Sequence, residues 1–133
     1  MPGQDTKRRK RVLFVAENVT LAQVVRLKVL AKLIDDAYDV HFATSEFSPV
    51  IFEDTRFTRH LLYTLPKEQL FSAMEQGERL YSSKTLERYV EADLELLEKV
   101  KPDLIIADFR LSMNISADKH GVCLLYTSDA ADE

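Results

Sequence analysis

Two stretches of the chain are continuously apolar, Val12-Leu13-Phe14-Val15-Ala16 and Leu104-Ile105-Ile106-Ala107. Strands buried on both faces of a parallel sheet read this way, because neither face alternates toward solvent. After the first run, Glu17-Asn18-Val19 makes a turn and Thr20 opens a helix to about Asp36. Leu21, Val24, Val25, Leu30, Leu33 and Ile34 recur along it at helical spacing, with Arg26, Lys28 and Lys32 between them. Tyr38 to Thr44 then nearly alternates and predicts a second strand. Strand, helix and strand within about 35 residues make a βαβ unit. Phe47 to Phe52 is either a short helix or irregular. Thr58 to Leu65 predicts a third strand, and after Pro66 the segment from Lys67 to about Arg79 predicts a helix with Leu70, Phe71 and Met74 on its apolar face. The clearest helix runs from Ser83 to Lys101, with a stripe of Leu86, Tyr89, Val90, Leu94, Leu97 and Val100, and Pro102 ends it. Past the second apolar run stands Asp108. A further helical segment follows, with Leu111 and Ile115 on one row and Gly121 at its C-terminus. The expected fold is α/β, a Rossmann-like parallel sheet flanked by helices.

At 133 residues the chain has the length of one domain, and 46% hydrophobic with 30% charged residues describes a soluble globular one. No apolar run approaches the roughly 20 residues of a membrane span, and no signal peptide is visible, so the expected location is cytoplasmic. Residues 1–11 end in Lys7-Arg8-Arg9-Lys10-Arg11. This reads as a solvated, disordered lead-in, since no basic face continues beyond it and no nucleic-acid partner is implied. Three glycines are few for a nucleotide-binding domain. The turn after the first strand lacks both the Gly-x-Gly-x-x-Gly fingerprint and a P-loop, which disfavours nicotinamide or ATP binding there. One cysteine, Cys123, excludes an internal disulfide, and no clustered ligand set implies a metal.

The last eleven residues, Cys123 to Glu133, look foreign. They resemble a conceptual translation of the transposase-end adapter of sequencing libraries, codon for codon, so the natural chain is expected to break off near Val122. Without Asp129, Asp132 and Glu133 the net charge of -4 becomes -1, and the acidity is partly artificial. Cys123-Leu124-Leu125-Tyr126 nevertheless falls where another strand is due, and as an apolar run it can occupy that place by accident of composition.

Two segments carry a resemblance. Val12 to Arg26, followed by Tyr38-Asp39-Val40-His41-Phe42-Ala43, resembles the start of nucleotide-sugar-dependent glycosyltransferases of the GT-B architecture, in the branch of macrolide and flavonoid glycosyltransferases and UDP-glucuronosyltransferases. Pro102 to Arg110, with the Ser116-Ala117 and Gly121-Val122 that follow, resembles the fourth-strand region of the same enzymes. The resemblance implies two Rossmann-like halves around a cleft, of which residues 12–122 are the acceptor-binding one, truncated before completion. It further implies a small-molecule or lipid acceptor, a nucleotide-sugar as co-substrate rather than a bound cofactor, and a missing C-terminal domain as partner for the donor. Membrane association is left open.

In that family a histidine early in the first helix is the general base, and an aspartate after the fourth strand orients it. The aspartate position falls on Asp108 and the histidine position on Gln23, whose amide can position a hydroxyl but cannot take its proton near neutral pH. Gln23 equally fits a capping box with Thr20, and Asp108 equally fits a helix cap or a solvated strand end. Asn18, Thr20, Phe109 and Arg110 flank these two positions and are the expected substrate-binding residues. His41, His60 and His120 read as structural or solvated. Glu17, at the carboxyl end of the first strand, is a minor candidate for a surrogate base, because a desolvated carboxylate binds its proton more tightly. The competing reading is a non-catalytic binding module of the same fold, and a flavodoxin-like regulatory domain is disfavoured for want of an acidic cluster.

Overall fold

The structure is a computed structural model that describes residues 9–17, 21–66, 68–69, 83–108 and 110–127. The predicted segment 67–79, the lead-in up to residue 8, and Asn18, Thr20 and Phe109 lie outside these residues, apart from Glu68 and Gln69. In chain order the elements are β1 (Arg11–Ala16), α1 (Leu21–Ile34), β2 (Asp39–Thr44), α2 (Pro49–Phe52), β3 (Thr58–Leu61), α3 (Ser83–Val100), β4 (Leu104–Asp108), α4 (Ser112–His120) and β5 (Cys123–Thr127). All five strands are parallel in the order β3-β2-β1-β4-β5.

The two continuously apolar runs are the two central strands, β1 and β4, paired from Val12 with Leu104 to Ala16 with Asp108. Their side chains alternate between two cores. Phe14, Phe42, Phe52 and Phe57 pack with Val24, Leu27 and Ala31 of α1 on one face. Leu13, Val15, Ile105 and Ala107 pack with Leu96, Leu97 and Val100 of α3 and with Met113 of α4 on the other. β3 ends at Leu61, shorter than the predicted Thr58–Leu65, although the Leu62 N–H still donates to the Thr44 carbonyl at 3.0 Å. Gly121 closes α4 in the left-handed region, φ 79°, with its N–H on the Ala117 carbonyl at 2.8 Å. Lys101 leaves α3 at φ 51° immediately before Pro102.

Two helix faces differ from expectation. On α1 the core side is Val24, Leu27 and Ala31, whereas Leu21, Val25, Leu30 and Leu33 are exposed. The helix is apolar nearly all round, so its periodicity does not single out one face. On α4 the buried residues are Ser112, Met113, Ser116 and Ala117, and Leu111 and Ile115 face outward. The helix turns its serines inward because a buried carboxylate awaits them there.

Candidate functional site

The site lies at the carboxyl ends of β1 and β4, where ligands bind in open α/β sheets. The register that sets Ala16 beside Asp108 puts Glu17 one residue past the end of β1, and its N–H reaches the Asp108 carbonyl at 3.4 Å. Asp108 is the last residue of β4 and only 3% exposed. Its Oδ2 accepts from Arg26 Nε at 3.2 Å and Nη2 at 2.8 Å. Arg26 stands on α1, one turn beyond Gln23, with its side chain partly open to solvent. Asp108, for which the resemblance implies an orienting role, is thus paired with a permanent cation. An imidazole there would titrate; a guanidinium does not.

A second, largely buried cluster lies at the same end of the sheet. Arg110 follows β4 and is 1% exposed, with its guanidinium between two carboxylates. Nη1 donates to Glu17 Oε1 at 3.0 Å and to the Tyr63 carbonyl at 2.6 Å, while Nε and Nη2 donate to Asp93 Oδ1 at 3.1 and 2.9 Å. The Tyr89 ring lies 4.2 Å from the guanidinium carbon. Asp93 Oδ2 in turn accepts from Ser112 Oγ at 2.6 Å and Ser116 Oγ at 2.8 Å. On the far side, Glu17 Oε2 accepts from Thr64 Oγ1 at 2.7 Å and Tyr89 Oη at 2.6 Å, and Tyr89 Oη accepts the Leu65 N–H at 2.8 Å. Buried ions demand such complete pairing, since desolvation otherwise outweighs their attraction. The network ties the chain after β1, the segment following β3, α3, and the chain leaving β4 into one rigid floor.

Burial pushes the Glu17 carboxyl above its ordinary range, and the opposing pull of Arg110, Tyr89 and Thr64 does not cancel it. Burial also opposes the Arg110 charge, but Asp93 and Glu17 outweigh it and hold the guanidinium protonated. The Tyr89 hydroxyl is pushed up by burial and by Glu17. His41 and His60 form a separate pair on β2 and β3, Nδ1 to Nε2 at 2.9 Å with the rings stacked. Burial, then His41 and Lys99, lower the His60 value. His120 lies at the end of α4, 3.4 Å from Glu98. Among the described residues no group of three histidine, cysteine or acidic side chains converges on a metal position, and no helix is long and apolar enough to cross a membrane.

Of the residues singled out in the sequence, Asp108 and Glu17 stand side by side at the ends of adjacent strands, with Gln23 on the helix that follows β1. Arg110 lies inside the floor, its donors turned to Glu17, Asp93 and the Tyr63 carbonyl. Asn18, Thr20 and Phe109 are outside the described residues, and so is the Thr20 half of the capping box. Sequence reasoning missed Arg26, Thr64, Asp93, Ser112 and Ser116. Asp93 left a legible signal: it stands four residues from both Tyr89 and Leu97, on the apolar stripe of α3, where an acid needs a buried cation.

A parallel five-stranded sheet flanked by helices matches the Rossmann-like fold of solved GT-B glycosyltransferases. Solved structures of similar fold include SsfS6, a glycosyltransferase of Streptomyces sp. SF2575 (TM-score 0.68, 20% identity, 90% of this chain and 39% of that one). Another is Phytolacca americana UGT2 complexed with UDP-2fluoro-glucose and pterostilbene (TM-score 0.66, 14% identity, 91% and 30%). The chain matches no protein-family model. Among curated proteins it is homologous to the PGL/p-HBAD biosynthesis glycosyltransferases of mycobacteria. It is 42% identical over 124 residues to the PGL/p-HBAD biosynthesis rhamnosyltransferase of Mycobacterium bovis (strain BCG / Pasteur 1173P2), covering 92% of this chain and 27% of that protein. It is 37% identical to a PGL/p-HBAD biosynthesis glycosyltransferase of Mycobacterium tuberculosis (strain ATCC 25177 / H37Ra), of which it covers 29%. It is equally 37% identical to a protein of the same M. bovis strain named as an inactive PGL/p-HBAD biosynthesis glycosyltransferase, of which it covers 34%. The chain therefore spans about a third or less of the length of these relatives.

Proposed function

We propose that the chain is the acceptor-binding half of a glycosyltransferase that moves a sugar from a nucleotide-sugar to a hydroxyl of a small-molecule or lipid acceptor. The observation that carries this reading is the placement of Asp108 and Glu17 at adjacent central carboxyl ends of the sheet, each carboxylate held by its own buried partners, in a chain 42% identical to a rhamnosyltransferase. The donor site belongs to the part of the relatives that this chain does not cover, and the 133 residues alone are expected to be inactive. Gln23, with Asn18, Thr20 and Phe109, borders the acceptor in this reading, and Arg110 supports it from below. The test is turnover by the full-length protein with nucleotide-sugars, a rhamnosyl donor first, against phenols, thiols and lipid alcohols. Gln23→Ala and Asp108→Asn are each expected to lower kcat/KM by about 10²-fold. No turnover with any donor, in a protein that still binds acceptor tightly, would sink the enzyme reading.

Three observations favour a second reading, a non-catalytic module. Asp108 already has a fixed cation in Arg26, Gln23 cannot titrate, and a relative of comparable similarity is named inactive. Acceptor binding without turnover is its signature.

We also read residues 123–133 as translated adapter. β5, built from Cys123–Thr127, pairs with β4 along its length, yet the Tyr126 hydroxyl is buried with no hydrogen-bond partner among the described residues. A strand selected for this place would be expected to satisfy that group. Resequencing the coding DNA from an independently prepared library tests it; recovery of the same eleven codons overturns it.

A further inference from the structure

Three oxygens at the end of β1 form a closed triangle. Glu17 Oε2 lies 2.7 Å from Thr64 Oγ1 and 2.6 Å from Tyr89 Oη, and the two hydroxyls are 2.8 Å apart. Each hydroxyl brings one hydrogen. With Glu17 ionised there are two hydrogens for three edges, and one edge is a contact of lone pairs. A third hydrogen on Oε2 closes the ring, each oxygen donating once and accepting once within it. The charge count among the described residues agrees. There Arg110 is the buried cation between two carboxyl groups, so an ionised Glu17 leaves these three side chains with a net negative charge, whereas a protonated one leaves them neutral. The carbonyl-like Oε1 still accepts from Arg110 in the protonated form.

We propose that Glu17 is a proton-holding acid that shares its hydrogen with Thr64 and Tyr89 and exchanges it with the ligand end of the sheet through Thr64. Glu17 and Tyr89 are enclosed, while Thr64 is half-buried and is the member of the triangle with access to solvent. Among the described residues the groups facing Glu17 are Arg110 after β4, Tyr89 and Asp93 of α3, Thr64 after β3, Asp108 with Arg26 across the strand ends, and Tyr126 of β5. Burial raises the Glu17 proton affinity in the same direction as the hydrogen count.

The catalytic consequence rests on the glycosyltransferase reading. Above the Glu17 midpoint the triangle lacks one hydrogen and has an open place for it. As the acceptor oxygen bonds to the anomeric carbon, the sugar–phosphate bond breaks and its electron pair leaves with the nucleotide. The acceptor hydrogen passes to Thr64 Oγ1, and the Thr64 hydrogen moves to Glu17 Oε2. Thr64 and Glu17 thereby serve where Gln23 cannot.

Carbon-13 NMR of the Glu17 carboxyl in this chain, titrated from acid to mildly alkaline pH, tests the proton site. The midpoint is expected above the ordinary glutamate value of 4.5, and a midpoint at or below it overturns the proposal. Glu17→Gln mimics the protonated acid, so at a pH below that midpoint it is expected to shift the melting temperature by no more than roughly 4 °C; a much larger loss means an ionised, paired Glu17 and overturns it too. In the full-length protein, kcat is expected to rise with pH through the same midpoint. Glu17→Gln and Thr64→Val lose that limb and about 10²-fold in kcat with KM little changed, and Thr64→Ser restores both. Turnover whose pH limb survives Glu17→Gln and Thr64→Val refutes the relay. Absence of turnover refutes the glycosyltransferase reading instead, and the NMR midpoint still decides the proton site.

Discussion

Arg110→Met removes the cation on which the floor of the site closes. The side chain is 1% exposed and donates to Glu17, to Asp93 and to the Tyr63 carbonyl. Methionine fills much of the same volume, so packing against Tyr89 is largely kept and the electrostatic part is isolated. Removing one partner of a buried ion pair leaves an uncompensated charge and costs about 3–5 kcal/mol. Here Asp93 keeps its two serine donors, which places its share near the lower end, and Glu17 can relieve its own by holding a proton. The orphaned Tyr63 carbonyl adds about 1 kcal/mol. The sum, about 4 kcal/mol, approaches the whole stability of a small domain, about 5–15 kcal/mol. Urea denaturation followed by far-ultraviolet circular dichroism measures it, with the slope checked for two-state behaviour. Arg110→Met is expected to be mostly unfolded without denaturant or to melt at a far lower urea concentration. Adding Glu17→Gln is expected to change its stability little, because a buried glutamate without its cation is driven toward the neutral form. A loss below about 1 kcal/mol for Arg110→Met would refute the view that the floor is held by this ion cluster.

Three further outcomes follow from the same geometry. Because the folded-state Glu17 value is raised, its contribution is complete below the unfolded carboxyl range and is lost as pH rises through the folded value; thermal melts should show Glu17→Gln gaining on the wild-type chain as pH increases from about 4.5. Ser116→Ala deletes one of the two hydroxyl donors on Asp93 Oδ2 and should cost about 1–3 kcal/mol in denaturant titration, with Ser116→Thr less harmful only if its extra methyl is accommodated. Gly121→Ala meets no neighbouring atom within 4 Å, so only the left-handed backbone at φ 79° resists it, and about 1 kcal/mol is expected by the same titration. A Gly121→Ala loss above about 3 kcal/mol points to a clash that this open position does not contain.

The sheet was legible from residue pattern alone at β1 and β4. Continuous apolar runs arise only where both faces are covered, and this sheet covers both with helices. Asp108 at the end of β4, Gly121 closing α4 and the long helix before Pro102 were legible for equally local reasons: a strand end, a left-handed cap and a missing N–H donor. What local pattern could not give is which face an ambiguous helix buries. α1 is apolar on all sides, and only its docking against Phe14 and Phe42 selects Val24, Leu27 and Ala31.

The site divides along the same line. Sequence alone determined that acidic residues would stand at the carboxyl ends of the two central strands, because strand register follows from the apolar runs. It also determined that Gln23, on which the resemblance places the base position, carries no titratable group. Only tertiary structure decided their partners. Arg26 meets Asp108 across 82 residues and Arg110 meets Glu17 across 93. Nothing in local spacing fixes such distant pairs. They follow from desolvation, which forces each enclosed charge to find whatever opposite charge and donors the packed layers bring within reach.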